Sequence, residues 1–406
     1  MAAQKRALYA RAIRGANRIA LGLATCAAAV TAAASTPAAA ASTFGNGRTV
    51  SIAGAVLAVP TAGPGSPVAY QRQARRWSPT LLAKLRRSGF DAIRLVTTPA
   101  PLMTDDTAAR DRAVAAINLL VDDANAAGLS VIVDMHFWPT DEPITADGVL
   151  ADPAQQADVM RGQVALARSL GQRPGRVALE LFNEPACPVG NNGVDWPVIQ
   201  QAMVKAVRQV AQKLPLVLTG CRGLLRTLEA IDARSYRQDP NLFWTFHYYE
   251  PDAFVGQEYS GLQSVPFPPD PALARLPAMM AAMAPAAVVA KRSRTLYELR
   301  EYLLDYCGRP SVRAQMASVA EWAKRNGIRP DHIYVGEFGA IMTDSPRMLK
   351  LRPDQLRWTQ MMREEYERQR FAWGIFPMPE KGNMNYDAGT DFFRGDILGA
   401  LGLRRS

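Results

Sequence analysis

The chain has 406 residues, of which 48% are hydrophobic and 21% charged, and this composition favours a packed globular protein over a disordered one. Its formal net charge is +10, yet no run of Lys and Arg is interleaved with aromatic residues, so nucleic-acid binding has little support. Half of that charge lies in residues 1–41, and the remaining chain is only mildly basic.

The first 41 residues have the pattern of a secretory signal peptide. An apolar, Ala-rich run extends from Ile19 to about Val30, and a small-residue stretch, STPAAAAS, follows it. The apolar run is too short for a stable membrane span. We therefore predict cleavage after Ala39 or Ala41 and a secreted or periplasmic protein. The run is preceded by five basic residues and no acid: Lys5, Arg6, Arg11, Arg14 and Arg18.

Short apolar runs alternate with longer helical patterns in the rest of the chain, which predicts parallel strands joined by helices. Eight such units in one chain favour a single (β/α)8 TIM barrel over residues 42–406, and we expect a monomer. The predicted strands are 51–58, 91–97, 129–136, 177–184, 214–220, 241–249, 332–339 and 371–378. The clearest predicted helices are 78–89, 107–127, 155–170, 197–213, 312–326 and 354–369.

One segment, residues 252–310, interrupts this rhythm after strand six. Part of it, VPFPPDPALARLPAMMAAMAPAA, is rich in Pro, Met and Ala. It is either a lid or subsite wall beside the active face or a surface insertion with one or two loose helices.

Three cysteines follow the leader, at spacings that fit no zinc or redox motif. Secretion would permit a disulfide. Because Cys187 and Cys221 follow neighbouring predicted strands, they are the candidate pair, and Cys307 would remain free.

In a barrel of this type the working residues lie at the carboxyl ends of the strands. Period-two alternation places His247 and Tyr249 on the barrel-facing side of strand six, and it places Glu337 inward together with Ile333 and Val335. By the same rule Glu180, Phe182 and Glu184 point inward from strand four. The strand ends carry eight polar or aromatic candidates: Arg94, His136, Asn183, Glu184, His247, Tyr249, Glu337 and Trp373.

Two carboxylates at the mouth of one barrel suggest glycoside hydrolysis, in which one group protonates the leaving oxygen and the other acts at the anomeric carbon. The two groups need opposite pKa values. Arg94 is expected to keep Glu337 ionised, whereas partial desolvation and its negative partner should keep Glu184 protonated.

These strand ends resemble those of glycoside hydrolase family five, the cellulase family of clan A, between about residue 50 and residue 380. Any one motif is weak, but six in order at the right strand ends are specific. The motifs are IRL at 93–95, DMH at 134–136, LELFNEP at 179–185, HYYEP at 247–251, VGEFG at 335–339 and FAWG at 371–374.

The resemblance implies a retaining mechanism with Glu184 as acid/base and Glu337 as nucleophile, and it implies no metal or cofactor. The remaining candidates would bind the sugar or the nucleophile. In that family Arg94 and Tyr249 would contact the nucleophile, Asn183 would bind the sugar 2-hydroxyl, His136 and His247 would line the cleaved subsite, and Trp373 would be its stacking floor.

Several of these residues also have a structural alternative. Glu180 lies deeper in the barrel and is expected to be a buried partner for Arg94 or a histidine. His136 could instead pair with Asp134, and Trp373, taken alone, could be an ordinary core residue.

The first hypothesis for function is a hydrolase of a β-linked glucan. The second is a hydrolase of another β-linked polysaccharide, such as mannan or a bacterial exopolysaccharide, because the segment 252–310 is atypical. The third is a non-catalytic carbohydrate-binding barrel. In every case the partner is a polysaccharide or oligosaccharide.

Overall fold

The computed structural model describes residues 47–53, 77–137, 146–173, 176–185, 195–286, 295–304, 308–340 and 342–404. Eight parallel strands close into a barrel in sequence order, which confirms the predicted (β/α)8 fold. The predicted leader lies outside the described residues. The strands are β1 (Arg48–Ala53), β2 (Ala92–Thr97), β3 (Ser130–Met135), β4 (Val177–Glu180), β5 (Leu216–Leu224), β6 (Leu242–His247), β7 (Ile333–Phe338) and β8 (Ala372–Ile375).

Helices cover the outside of the barrel, and all six helices predicted from the sequence are present. A two-stranded hairpin of Tyr386–Asp387 and Phe392–Phe393 follows β8. The helices are α1 (Pro79–Ser88), α2 (Ala100–Met103), α3 (Thr107–Ala126), α4 (Ala146–Ala151), α5 (Pro153–Leu170), α6 (Trp196–Arg208), α7 (Leu225–Glu229), α8 (Asp252–Val255), α9 (Gln257–Ser260), α10 (Pro277–Met283), α11 (Thr295–Leu304), α12 (Arg309–Asn326), α13 (Pro346–Leu349), α14 (Arg352–Arg368) and α15 (Gly395–Ala400).

Local sequence explains where these helices begin and end. The Ser78 hydroxyl accepts a hydrogen bond from the backbone N–H of Leu81 at 3.1 Å, which caps α1 at its start. Gly89 ends the same helix with φ 103° and Gly327 ends α12 with φ 73°, both in the left-handed region that glycine tolerates. Among the described residues, no helix is long and apolar enough to cross a membrane.

The strands carry two layers of core. The inner layer fills the barrel with six side chains, and the outer layer packs the strands against the helices. In β6 the prediction holds, because Phe243 belongs to the inner layer and Trp244 packs edge-on against Trp322 of α12 at 5.5 Å. The inner residues are Ile132, Ala178, Val217, Phe243, Tyr334 and Ala372.

The sequence predicts that Ile333 and Val335 of β7 point into the barrel together with Glu337, and for the first two residues this prediction is wrong. Tyr334 fills the barrel interior, whereas Ile333 and Val335 belong to the outer core. A register shift between Val335 and Phe338 then changes the parity of the strand and brings Glu337 to the barrel mouth. Glu337 therefore faces the site as predicted, but because of an irregularity and not because of its spacing.

The alternation predicted for β4 also fails, because the strand ends at Glu180. Beyond that point Phe182 stacks on Phe137 with ring centroids 4.3 Å apart and contacts Trp196 of α6 edge-on. Phe182 is therefore an outer core residue and does not point inward. The irregular backbone after the strand still carries Asn183 and Glu184 to the mouth.

The described parts of the segment 252–310 contain short helices that pack on the side of the barrel. The Phe254 and Phe267 rings lie 5.3 Å apart, and the Phe267 backbone N–H donates to Asp354 of α14 at 2.9 Å. The Tyr302 hydroxyl donates to the carbonyl of Pro266 at 2.6 Å. These contacts attach the segment to the barrel, and whether it also forms a subsite wall stays open.

Candidate active site

Arg94 lies at the centre of the site and is fully buried. Its Nε and Nη2 atoms donate to the two carboxylate oxygens of Glu180 at 2.7 and 2.9 Å, a bidentate pair that confirms the predicted partnership. Nη1 donates to Glu337 Oε1 at 2.7 Å, and Nη2 lies 2.9 Å from Asp134 Oδ2. One cation thus serves three buried carboxylates, and Nη2 also donates to Asn183 Oδ1 at 2.7 Å.

Glu337 is held on both of its oxygens. Arg94 binds Oε1, and the Tyr249 hydroxyl donates to Oε2 at 2.8 Å. Burial alone would raise the pKa of Glu337, but the charges of His247 and Arg94 and the Tyr249 hydrogen bond outweigh it and lower that pKa to about 2. The group that the sequence analysis proposed as nucleophile is therefore ionised at neutral pH.

Glu184 lies opposite Glu337, with His247 between them. The Nδ1 atom of His247 lies 2.9 Å from Glu184 Oε1 and 3.5 Å from Glu337 Oε2. Burial lowers the pKa of His247, whereas the negative charges of Glu337 and Glu184 raise it, and the net direction is upward. The Glu184 side chain is 27% exposed, so the acid that would protonate a leaving group is open to solvent while Glu337 is not.

Ligating atoms of Glu184, His247 and Glu337 lie within 4.8 Å of one another. Three such groups could in principle hold a metal ion. However, Arg94 and Tyr249 already donate to both oxygens of Glu337, and the permanent positive charge of Arg94 at 2.7 Å disfavours a second cation there.

His136 and Asn183 form one wall of the site. His136 Nδ1 lies 2.9 Å from Asp134 Oδ2, and its Nε2 lies 3.3 Å from Asn183 Nδ2. The pairing with Asp134 that was left open is thus present, and it orients the ring towards Asn183 at the mouth. His136 therefore pairs with Asp134 and also lies in the site.

The prediction that Trp373 is the stacking floor is wrong. Trp373 is 1% exposed, packs edge-on against Phe338 at 5.7 Å, and donates from Nε1 to Glu367 of α14 at 3.3 Å. Its neighbour Ala372 belongs to the inner layer, so alternation turns Trp373 outward to the helices.

Phe376, which follows β8, is an aromatic residue that does lie beside a residue of the site. Its ring is half-buried and lies parallel to that of His136, with centroids 6.5 Å apart and an interplanar angle of 5°. Phe376 is not among the site residues predicted from the sequence. The signal was present, because Ala372, Gly374 and Phe376 alternate on one side and the first two are too small to fill the mouth.

Cys221 of β5 is disulfide-bonded. Its predicted partner Cys187 and the alternative Cys307 lie outside the described residues, so the pairing of Cys187 with Cys221 stays a prediction.

The network predicts a pH-dependent contribution of Glu337 to stability. Its pKa is lower in the folded chain than the ordinary value of 4.5, so the unfolded chain binds more protons between about pH 2 and 4.5 and the stabilisation is lost as pH falls through that window. The difference in unfolding free energy between wild type and Glu337→Gln should therefore move against the wild type from pH 6 to pH 3. Denaturant titrations at both pH values measure it, and a constant difference would contradict the assignment.

A parallel barrel with two facing acids at its mouth, one buried against an arginine and one partly exposed, defines a glycosidase of the (β/α)8 class. The family model described as cellulase (glycosyl hydrolase family 5) matches residues 59–377, and the chain belongs to that family. It is a glycoside hydrolase.

Solved structures show the same fold at low sequence identity. The endoglucanase Cel5A of Thermotoga maritima is 18% identical, with a TM-score of 0.62 over 89% of this chain and 98% of the other. The cellulose synthase subunit Z of Clostridioides difficile is also 18% identical, with a TM-score of 0.60 over 87% and 98%. No curated protein matches the chain.

Proposed function

We propose that the chain is a retaining hydrolase of a β-linked glucan that acts by double displacement. The observation that carries this proposal is the separation of the two acids. Carboxylate oxygens of Glu184 and Glu337 lie within 4.8 Å of each other. Retaining glycosidases keep their acids about 5–5.5 Å apart, whereas inverting ones need about 6.5–9.5 Å to admit a water.

In the first step a Glu337 oxygen bonds to the anomeric carbon while the glycosidic bond breaks. The departing oxygen takes the proton of Glu184, which leaves a glycosyl-enzyme ester and an ionised Glu184. In the second step Glu184 accepts a proton from water, the water oxygen bonds to the anomeric carbon, and the ester bond to Glu337 breaks. Both acids return to their starting states, and the anomeric configuration is retained.

The surrounding residues prepare these two acids for the reaction. Arg94 and Tyr249 fix the plane of the Glu337 carboxylate and keep it ionised, so that no reorganisation is needed at the moment of attack. Asn183 is held through its oxygen by Arg94. Its Nδ2 atom lies 3.3 Å from His136 Nε2, which leaves one amide N–H to donate to a sugar hydroxyl.

The choice of glucan is supported by the names of similar structures, several of which are endoglucanases. Mannan is the second candidate, because one structure of Thermotoga maritima Cel5A is in complex with mannotriose. The non-catalytic alternative has little support when both acids and their partners are in place.

A panel of soluble β-glucans, mannan and acidic exopolysaccharides tests the proposal. Product sizing identifies the preferred polymer, and proton NMR of the first products identifies the anomer. We expect β-configured reducing ends from a β-glucan. Initial products of α configuration would overturn the retaining mechanism, and no turnover of any polymer or of an aryl β-glycoside would overturn hydrolysis.

Phe376 is proposed as the aromatic platform of the cleaved subsite. Phe376→Ala should raise KM for oligosaccharides about tenfold, because the sugar face loses its apolar partner. Trp373→Phe is the matched control, since it changes an aromatic residue on the same strand end that faces the helices. It should lower the melting temperature and leave KM unchanged. Equal effects of the two variants on KM would contradict this assignment.

Secretion is likewise a proposal, supported by the leader pattern of residues 1–41 and by the disulfide at Cys221, since disulfides persist in oxidising compartments. The chain expressed in full should appear outside the cytoplasm. N-terminal sequencing of that protein should begin at residue 40 or 42. Cytoplasmic retention with an intact amino terminus would refute it.

A further inference from the structure

The end of β5 carries an irregularity that the mechanism above does not use. The pairing of β5 with β6 shifts register between Thr219 and Leu224. Within this shift Arg222 has φ 53° and Gly223 has φ 62°, two consecutive residues in the left-handed region. Such a conformation is unfavourable for arginine, and residues with strained backbone of this kind are found most often at functional sites. We call residues 221–223 the β5 bulge.

The β5 bulge lies directly against His247 and Glu184, the two hydrogen-bonded groups at the barrel mouth. A methyl group on the Cα of Gly223 would lie 3.0 Å from His247 Nδ1, 3.1 Å from its Cγ and 3.4 Å from Glu184 Cγ. His247 Nδ1 is the atom that bonds Glu184 at 2.9 Å. The bare glycine backbone therefore forms the wall behind that hydrogen bond.

The β5 bulge is fixed from several sides. The Arg222 backbone N–H donates to the carbonyl of Pro185, the residue after Glu184, at 2.6 Å. The Arg222 guanidinium lies 3.4 Å from Asp147 of α4. Cys221 is disulfide-bonded, and its carbonyl accepts a hydrogen bond from Thr227 at 2.7 Å. These attachments hold the wall in place beside the acid.

We infer that Gly223 is a positioning residue for acid catalysis, acting through His247 to fix the Glu184 carboxyl group against the leaving oxygen. This inference rests on the proposed function. A side chain at 223 would push the imidazole away by a few tenths of an ångström and turn the Glu184 carboxyl group with it. Misplacement on this scale costs about tenfold in rate when the reaction depends on the displaced group.

Gly223→Ala tests this inference with two aryl β-glycosides, one with a dinitrophenyl leaving group and one with a phenyl leaving group. Acid assistance matters for the phenyl substrate and little for the dinitrophenyl one. We expect kcat/KM to fall about tenfold for the phenyl substrate, to change little for the dinitrophenyl substrate, and KM to stay within twofold. A variant that keeps the leaving-group selectivity of the wild type would overturn the inference.

Gly327→Ala is the matched control. Gly327 has φ 73°, close to that of Gly223, but a methyl group there meets no atom within 4 Å. It should reproduce the backbone strain without the loss of selectivity. If it loses the same selectivity, backbone strain is the cause and Gly223 has no positioning role.

A double-mutant cycle with His247→Ala shows whether the effect passes through His247. In that background Gly223→Ala should cost less than twofold, because the ring that the methyl group would displace is gone. The same tenfold loss in both backgrounds would overturn the inference. If Gly223→Ala alone does not fold, folding of the double variant supports the clash with His247, and failure of both overturns it.

A Glu184→Gln variant distinguishes failure of the proposed function from failure of the inference about Gly223. If Glu184→Gln hydrolyses the phenyl substrate as well as the wild type does, the acid is wrongly assigned and the inference falls with it. If Glu184→Gln is inactive while Gly223→Ala resembles the wild type, only the inference is wrong.

Discussion

Glu337→Gly should lower kcat by about 10⁴-fold or more on every substrate, because no other described carboxylate faces the anomeric carbon from that side. A loss of that size is about 5.5 kcal/mol of transition-state stabilisation. Glu184 and its His247 partner remain in place, so protonation of the leaving group is retained and only the bond-forming partner is missing. Initial rates on a dinitrophenyl β-glycoside measure the loss.

Sodium azide distinguishes a missing nucleophile from a damaged fold. In Glu337→Gly the anion fits the space of the lost carboxylate, bonds to the anomeric carbon from that side and expels the leaving group, which gives an α-glycosyl azide. Glu184→Gly is the matched control, because there azide attacks the glycosyl-enzyme from the opposite side and gives a β-glycosyl azide. NMR identifies the anomers, and the same anomer from both variants would refute the assignment of the two roles.

The barrel and the two acids could be predicted from the sequence because they depend on repeated patterns. Eight apolar runs separated by helical periods fix the number of strands, and polar residues at strand ends mark the mouth whatever the precise bounds. Glu337 shows the limit of this reasoning. Its orientation follows from the register shift after Val335, and no pattern of residue types announces such a shift.

The side on which a residue lies was harder to predict in β8. The family resemblance implies that Trp373 is the stacking floor, yet the small residues on either side of it, Ala372 and Gly374, are the ones that face the crowded interior. A methyl group on Gly374 would lie 2.5 Å from the Tyr334 hydroxyl, so this side has no room for a larger residue. Because this side of β8 faces the interior, Phe376 is the next residue on it and the one that can reach the mouth. This conclusion requires the knowledge that Tyr334 fills the barrel.

The β5 bulge lay beyond sequence reasoning altogether. Arg222 is a poor choice for φ 53°, so its residue type gives no sign of a left-handed backbone at this position. The contacts that hold it, to the carbonyl of Pro185 and to Asp147, join the end of β5 to the chain after β4 and to helix α4, which are far apart in the sequence. Only the closed barrel brings them together.

Arg94→Met should produce the largest loss of stability of any single change in the site. Its side chain is completely buried and, among the residues that the structure describes, is the one permanently charged cation within bonding distance of Asp134, Glu180 and Glu337. Without it three carboxylates are left together at the bottom of the site. Breaking a buried ion pair by removal of one partner costs about 3–5 kcal/mol, and here three partners lose their cation at once.

The loss should depend on pH. Burial and the neighbouring Asp134 already raise the pKa of Glu180, while Arg94 lowers it, so removal of Arg94 raises that pKa further. Protonation then relieves the repulsion between the carboxylates, so Arg94→Met should recover part of its lost stability when the pH falls from 7 to 5. The double variant Arg94→Met, Glu180→Gln should show a similar recovery at pH 7, because one of the repelling charges is removed. Urea titrations at both pH values measure the recovery.

Arg313→Met is the matched control. Arg94 is one cation among three carboxylates, whereas Arg313 is one of three cations around a single carboxylate. Three arginines, Arg309, Arg313 and Arg368, surround the single buried carboxylate of Glu365, and Arg313 is itself about half exposed. Its loss leaves Glu365 with two cations, and an ion pair made by a half-exposed arginine contributes little. We expect near-wild-type unfolding at every pH for Arg313→Met. If Arg94→Met unfolds at the same urea concentration as this control, the buried network does not hold the site together.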